Sequence, residues 1–233
     1  MPKALIFIAG LLAAAASPAL ARPPVVVELY TAQGCAACSG ANDTLAELSS
    51  DPGVLALTFP VDYWDYLGWE DTFAKPEFAA RQRAYTKALA LRDVFTPQVV
   101  VDGRVQTSAA RPDAVEKLVA AQAKTPRDPP DMEFRHDGRV AVGSGPSPRG
   151  GGEVWLVRYD PRPQEVVVRR GENRGQTVNQ KNVVREIVRL GAWAGRPRVY
   201  SVPATADDGL ESVVLLQGAK GGRIMAVLPG KAD

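Results

Sequence analysis

The stretch Val25-Val26-Val27-Glu28-Leu29-Tyr30-Thr31-Ala32-Gln33-Gly34-Cys35-Ala36-Ala37-Cys38 decides the fold. Val25 to Tyr30 is apolar except at Glu28, the composition of a central strand covered on both faces. Thr31 to Gly34 reads as a turn that delivers Cys35. From Cys38 the period changes: Leu45 and Leu48 share one side of a helix, with Asn42, Asp43 and Glu47 on the other. Two cysteines separated by two residues therefore stand between a strand and the head of a helix.

Working outward, Asp51-Pro52-Gly53 stops this helix and Val54 to Phe59 forms a second covered strand. A loop from Pro60 to Ala74 carries Asp62, Tyr63, Trp64, Asp65, Tyr66, Trp69, Glu70 and Asp71. A helix is expected from about Pro76 to Leu91, with proline in its first turn, where a missing N–H costs little. Phe78, Tyr85 and Leu89 mark its buried side, with Arg81 and Lys87 outside. Thr96-Pro97 precedes a strand at Gln98 to Val101, and Asp102-Gly103 turns the chain into a returning strand at Arg104 to Thr107. Pro112 to Ala123 places Val115, Leu118 and Val119 on one helical face. The order predicts an α/β layer: a mixed sheet with flanking helices.

Lys124 to Pro130 is charged and proline-rich, the texture of a linker. Residues 131–233 read as a smaller, mainly antiparallel β module, with strands near Glu133 to Arg135, Arg139 to Val142, Val154 to Tyr159, Glu165 to Arg170, Arg198 to Val202, Ser212 to Gln217 and Arg223 to Leu228. One helix-like segment, Asn182 to Leu190, interrupts them. Trp155 and Trp193 are expected in the core or at the seam between domains. The expected organisation is thus residues 22–123 with an insertion at about 60–74, a linker at 124–130, and a β domain at 131–233.

Residues 1–21 have the form of a secretion signal. Lys3 gives a positive start, Ala4 to Ala16 is small and apolar, and Ala19-Leu20-Ala21 has the small-x-small pattern of a cleavage site. No later run approaches about 18 consecutive apolar residues, so a periplasmic or secreted protein without a stable membrane span is expected. The formal charge is only +2 and the basic residues are dispersed, which gives no electrostatic case for nucleic acid.

A secreted scaffold held by disulfides would use more cysteines at wider spacings. One short-range pair closes almost no loop, so chemistry explains it better than stability. Cys35 at a helix head sits beside free N–H groups and the positive end of the helix dipole. Such settings lower a thiol pKa from about 8.5 to between about 3.5 and 7.5, which makes Cys35 the attacking group and Cys38 the resolving one. Glu28, the one ionisable residue of the first strand, would accept the Cys38 proton if its side chain lies beneath the site. Its alternative roles are a solvent-facing residue or a salt-bridge partner of a helix. No metal site is expected: Ser39 stands where a c-type haem attachment needs histidine, and His136 is the only histidine. Copper or zinc held by the two thiolates, and an inert structural disulfide in an interaction protein, remain the alternatives to thiol–disulfide exchange.

Residues 25–123 resemble the thioredoxin superfamily, and Leu29-Tyr30-Thr31 with Gly34-Cys35 and Cys38 is similar to a glutaredoxin active-site turn. The resemblance implies a cis-proline opposite the cysteines at Pro97, preceded by a residue, Thr96, whose backbone pairs with substrate. Over nearly all of residues 25–230 the chain also resembles the bacterial secreted family catalogued as domain of unknown function 1223. The motifs carrying this are Val61-Asp62-Tyr63-Trp64-Asp65-Tyr66-Leu67-Gly68-Trp69, Arg81-Gln82-Arg83 with Tyr85, Thr96-Pro97-Gln98 with Val100 to Gly103, and Arg170-Gly171-Glu172-Asn173. Ala36-Ala37 lacks the proline of reducing thioredoxins and the histidine of strongly oxidising relatives, which leaves the redox direction open. The expected activity is dithiol–disulfide exchange with a protein or small thiol, reset by an upstream redox partner and needing no dissolved organic cofactor. Asp62, Tyr63, Trp64, Asp65 and Trp69 are expected to form a collar for substrate beside Thr96 and Pro97; a structural seam is their other reading. Arg169, Arg170, Glu172, Asn173 and Arg174 are expected to form a solvated loop or an internal ion network.

Overall fold

A computed structural model describes residues 22–204 and 209–230. The signal-like segment 1–21 lies outside the described residues. The covered strand opens the fold as β1 (Val25–Thr31), and every one of its residues is buried. A 3-10 turn at Ala36–Cys38 runs into α1 (Ser39–Leu48), followed by β2 (Val54–Pro60), α2 (Pro76–Ala88), β3 (Gln98–Val101), β4 (Val105–Ser108) and α3 (Pro112–Ala123). β2 pairs parallel with β1, while β3 pairs antiparallel on its other side and continues to β4. Asp102 and Gly103 turn between the last two at φ 52° and 60°, and a Cβ on Gly103 would meet the Gly222 carbonyl at 2.7 Å. Glycine is therefore required at that turn by both backbone and space.

The second half contributes β5 (Met132–Phe134), β6 (Arg139–Val142), β7 (Gly152–Asp160), β8 (Gln164–Val167), β9 (Thr177–Gln180), β10 (Val183–Trp193), β11 (Arg198–Ser201), β12 (Glu211–Gly218) and β13 (Ile224–Pro229). Its long strands extend the first sheet instead of building a separate one. The order is β13-β12-β7-β10-β2-β1-β3-β4, accompanied by small antiparallel sheets β11-β6-β5 and β8-β9. The mixed α/β architecture with a large mixed sheet, few flanking helices and smaller antiparallel sheets is the expected one. The link across the halves is short: Val183 pairs with Thr58, the Thr58 backbone amide donates to the Asn182 backbone carbonyl (2.9 Å), and Asn182 Nδ2 donates to the Ala56 carbonyl (2.8 Å).

Alternation along β1 assigns its side chains to two cores. Val25, Val27 and Leu29 face α1 and α3, packing with Ala41, Leu45, Val115 and Val119. Val26 and Tyr30 face α2 and the second half, in a cluster that joins Phe78 and Tyr85 to Val157, Val184, Val213 and Leu215. A third core seats Trp193 and Tyr200 between the large sheet and β6.

Three expectations are corrected. Asn182 to Leu190 is no helix: it lies almost wholly within β10, an eleven-residue strand. Val183-Val184 and Ile187-Val188 recur at helical spacing, and register shifts between Val184 and Glu186 and between Arg189 and Gly191 break the alternation that would have marked a strand. Arg81 does not face solvent but is 8% exposed. The second half covers that side of α2, and the Glu28 carboxylate opposite supplies the countercharge. Asn42 is likewise buried, its side-chain oxygen accepting from the Thr31 hydroxyl at 2.9 Å.

Candidate functional site: the cysteine pair and its collar

Cys35 and Cys38 form a disulfide at the head of the helical run that becomes α1. The local backbone fixes them: the Cys35 amide donates to the Ala32 carbonyl (3.1 Å) and the Cys38 amide to the Cys35 carbonyl (3.0 Å). No acidic side chain occupies the first turn of α1, so that turn carries no charge opposing a negative sulfur at the helix's positive end. Each cysteine is 1% exposed, whereas Ala36 and Ala37 between them are exposed.

The Thr96–Pro97 peptide bond is cis, as the thioredoxin-superfamily resemblance implies. Thr96 Oγ1 donates to Cys35 Sγ at 3.4 Å and accepts from Trp64 Nε1 at 2.8 Å. Tyr63 reaches the same segment by another route. Its hydroxyl donates to Gln82 Oε1 (3.2 Å), and the Gln82 amide donates to the Phe95 carbonyl and to Gln98 Oε1, both at 2.8 Å. Burial pushes the Tyr63 hydroxyl up to about 12, so it stays a donor. The loop after β2 thus holds the proline segment through both of its adjacent aromatic residues.

The same loop grips the turn before the cysteines. Gln33 is fully buried, and its amide donates to Asp71 Oδ2 at 2.6 Å. Its side-chain oxygen accepts from Trp69 Nε1 (3.0 Å) and its side-chain nitrogen donates to Thr72 Oγ1 (2.9 Å). Asp71 Oδ1 also accepts from the amides of Phe73 (3.0 Å) and Ala74 (3.2 Å). Burial nevertheless dominates over these bonds and raises the Asp71 carboxyl to about 6. Asp65 accepts from the Asp71 amide at 3.1 Å, and its own carboxyl is also raised by burial first. Asp62 is half-exposed; its carbonyl accepts from the Asp65 amide at 3.0 Å. Tyr66, at 82% exposed, and Leu67 and Phe95 present apolar surface to solvent.

The remaining carbonyl of Gln33 is satisfied from the second half. Asn173 Nδ2 donates to it at 2.8 Å, across 140 positions of sequence, and a Cβ on Gly171 would lie 3.8 Å from Trp69 Cβ. The turn bearing Arg170, Gly171 and Glu172 therefore docks on the collar, with Asn173 buried and Arg169, Arg170, Glu172 and Arg174 exposed.

Glu28 lies on the face of β1 shared with Val26 and Tyr30, 0% exposed. Its Oε1 accepts from Arg81 Nε at 2.7 Å and its Oε2 from the Tyr85 hydroxyl. Arg81 also donates to Gln217 Oε1 of β12 (3.0 Å) and lies over the rings of Phe59, Tyr85 and Trp155. Burial, with Glu28 adding to it, drives the Tyr85 pKa well above its usual value and keeps its proton on oxygen. This is the helix-facing salt-bridge arrangement.

Gln33, Asp71 and Asn173 are the site residues that sequence reasoning did not assign. Asp71, two and three residues ahead of the amides it accepts from, carries a local signature of a turn-forming aspartate. The Gln33–Asn173 bond has no local signal, because only the folded chain brings those positions together.

Among solved structures, the chain is similar to the crystal structure of protein AGR_C_4864 from Agrobacterium tumefaciens, with 29% identity over 90% of this chain and 94% of that one and a TM-score of 0.71. It is also similar in fold to HBP35 of Porphyromonas gingivalis, at 12% identity over 89% and 74% of the two chains and a TM-score of 0.56. No curated protein matches. The model of one family matches residues 26–217, a span that includes the cysteine turn, the collar, the cis-proline segment and Asn173. The chain belongs to that family, described as protein of unknown function DUF1223.

Proposed function

We propose that this chain is an exported thiol–disulfide oxidoreductase of thioredoxin-like type, acting through Cys35 and Cys38. The observation that carries the reading is the juxtaposition at one sulfur: Cys35 heads a helical run, is joined to Cys38, and receives the Thr96 hydroxyl from the cis-proline segment. In the reducing direction the Cys35 thiolate attacks a substrate disulfide and expels one substrate thiolate. The Cys38 thiolate then attacks Cys35 Sγ in the mixed disulfide, forming the Cys35–Cys38 bond and expelling the second thiolate. Two electrons pass to the substrate, and the oxidising direction is the reverse.

The covered oxidised pair requires a neighbouring side chain to yield before an incoming thiolate reaches Cys35. Thr96, bonded to its sulfur, and Trp64 beyond it form part of the surroundings. Exposed Ala36, Ala37, Tyr66, Leu67 and Phe95 supply apolar contact for a polypeptide substrate, with Asp62 and Asp65 at the collar. The charge and spacing of residues 1–21 support a periplasmic or secreted location.

The test combines the reduction potential of the pair with selective trapping of each cysteine. A potential in the catalytic range above about −300 mV, faster alkylation of Cys35 than of Cys38, and accumulation of a mixed disulfide in Cys38→Ser are expected. A potential below about −300 mV with no preferentially reactive Cys35 identifies a structural disulfide and overturns the reading. Stoichiometric retention of copper(I) by the reduced pair without thiol exchange overturns it as well.

A further inference from the structure

We infer that Trp64 is a positioning residue for the Cys35 chemistry, directing the single proton of the Thr96 hydroxyl onto Cys35 Sγ. The inference rests on the oxidoreductase reading and adds to it a residue outside the cysteine and proline turns.

The direction of the chain of bonds follows from what each group can do. An indole N–H only donates, so at 2.8 Å from Trp64 Nε1 the Thr96 oxygen is the acceptor. A hydroxyl has one proton and two lone pairs; with a lone pair engaged by the indole, the proton points elsewhere. Cys35 Sγ lies 3.4 Å from Thr96 Oγ1 and, in a disulfide, only accepts. The Tyr63 hydroxyl is the rival destination, since it neighbours Thr96 while giving its own proton to Gln82. Against a thiolate the sulfur wins, because a hydrogen bond to an ionised acceptor is roughly twice as strong as a neutral one.

The contact therefore strengthens when the disulfide is reduced to the thiolate, and it favours the reduced protein. Trp64 contributes by holding the threonine oxygen in place and by polarising its O–H bond. Trp64 itself is held: it is partly buried against the core that contains both cysteines, and a Cβ on Gly34 would stand 3.9 Å from Trp64 Cβ. Burial of the cysteines keeps water from replacing the hydroxyl as donor.

The experiment is equilibration with glutathione and glutathione disulfide, in which the protein disulfide and two glutathiones exchange for the protein dithiol and one glutathione disulfide. Wild type, Trp64→Phe, Thr96→Val, Thr96→Ser and the Trp64→Phe/Thr96→Val double variant are compared. Thr96→Val is expected to shift the equilibrium about tenfold toward the protein disulfide, about 30 mV more reducing, and Trp64→Phe about threefold in the same direction. The double variant is expected to match Thr96→Val alone, and Thr96→Ser to match wild type. Trp64→Phe keeps an aromatic ring, and urea midpoints identify any variant whose fold has changed. Trp64→Phe equal to wild type, or fully additive with Thr96→Val, overturns the inference. Failure of the oxidoreductase reading is separately visible, as an absence of turnover in wild type, because the coupling between the two variants is read from an equilibrium that needs no turnover.

Discussion

At Asp71, a single carboxyl links the collar to the cysteine turn, and its energetics have a definite sign. Three backbone amides favour its charged form, yet burial outweighs them and holds the folded-state pKa near about 6. In the unfolded chain the same group ionises near about 4. Between these values the folded protein binds the extra proton, so stability from this group is fully present below about pH 4 and is lost as pH rises through about 6. The loss is on the order of 2 to 3 kcal/mol. Asp65, also raised, adds a slope of the same sign. Urea midpoints measured from about pH 4 to about pH 7.5 are expected to fall more steeply for wild type than for Asp71→Asn, which cannot ionise. Equal slopes would mean that folding does not raise the Asp71 pKa.

Among the elements, α2 shows how a polar residue can organise a core. Arg81 is buried with its guanidinium on Glu28 of β1, on Gln217 of β12 and beside three aromatic rings. Removing one member of a buried pair leaves the other uncompensated, so Arg81→Met is expected to cost about 3 to 5 kcal/mol in urea unfolding. Adding Glu28→Leu to it is expected to recover much of that loss, giving a coupling of at least about 1 kcal/mol in a double-mutant cycle. Additive losses would show that the two charges do not support one another. The network also marks the limit of what the sequence revealed. β1, the cysteine turn, α1, the Asp102-Gly103 hairpin and α3 were legible because periodicity, turn residues and proline placement act over a few positions. Arg81 reads as solvent-facing because a helix viewed alone does not show that β12 will cover it. The β10 segment reads as a helix for a related reason: its bulges accommodate the twist of a long strand and erase the alternation by which strands are recognised.

For the molecule as a whole, the two halves of the sequence meet in one sheet and one core, and the cysteine site depends on both. Val157, Val184, Val213 and Leu215 pack in the same cluster as Tyr30, Cys35, Cys38 and Phe78. The turn at Gly221 sits so close to α2 that a Cβ there would stand 2.7 Å from the Ala84 carbonyl carbon. Asp102 accepts from the Val26 amide and from Arg127, which ties the proline-rich connection at 124–130 to β1. A chain ending after Ala123 would uncover the edge of β2, leave Arg81 without Gln217, and leave the buried Gln33 carbonyl without Asn173. An open strand edge beside an exposed apolar face favours association over folding. Residues 22–123 expressed alone are therefore expected to show collapsed amide dispersion by NMR or to aggregate. The full chain is expected to unfold in urea as one transition, coincident by tryptophan fluorescence and by circular dichroism. Asn173→Ala probes the same dependence with one atom group: it leaves a buried carbonyl without its donor and is expected to cost about 1 to 3 kcal/mol. A well-dispersed, monomeric 22–123 fragment that exchanges disulfides at the full-chain rate would show that the second half is dispensable to the site, and would reduce its contact through Asn173 to packing.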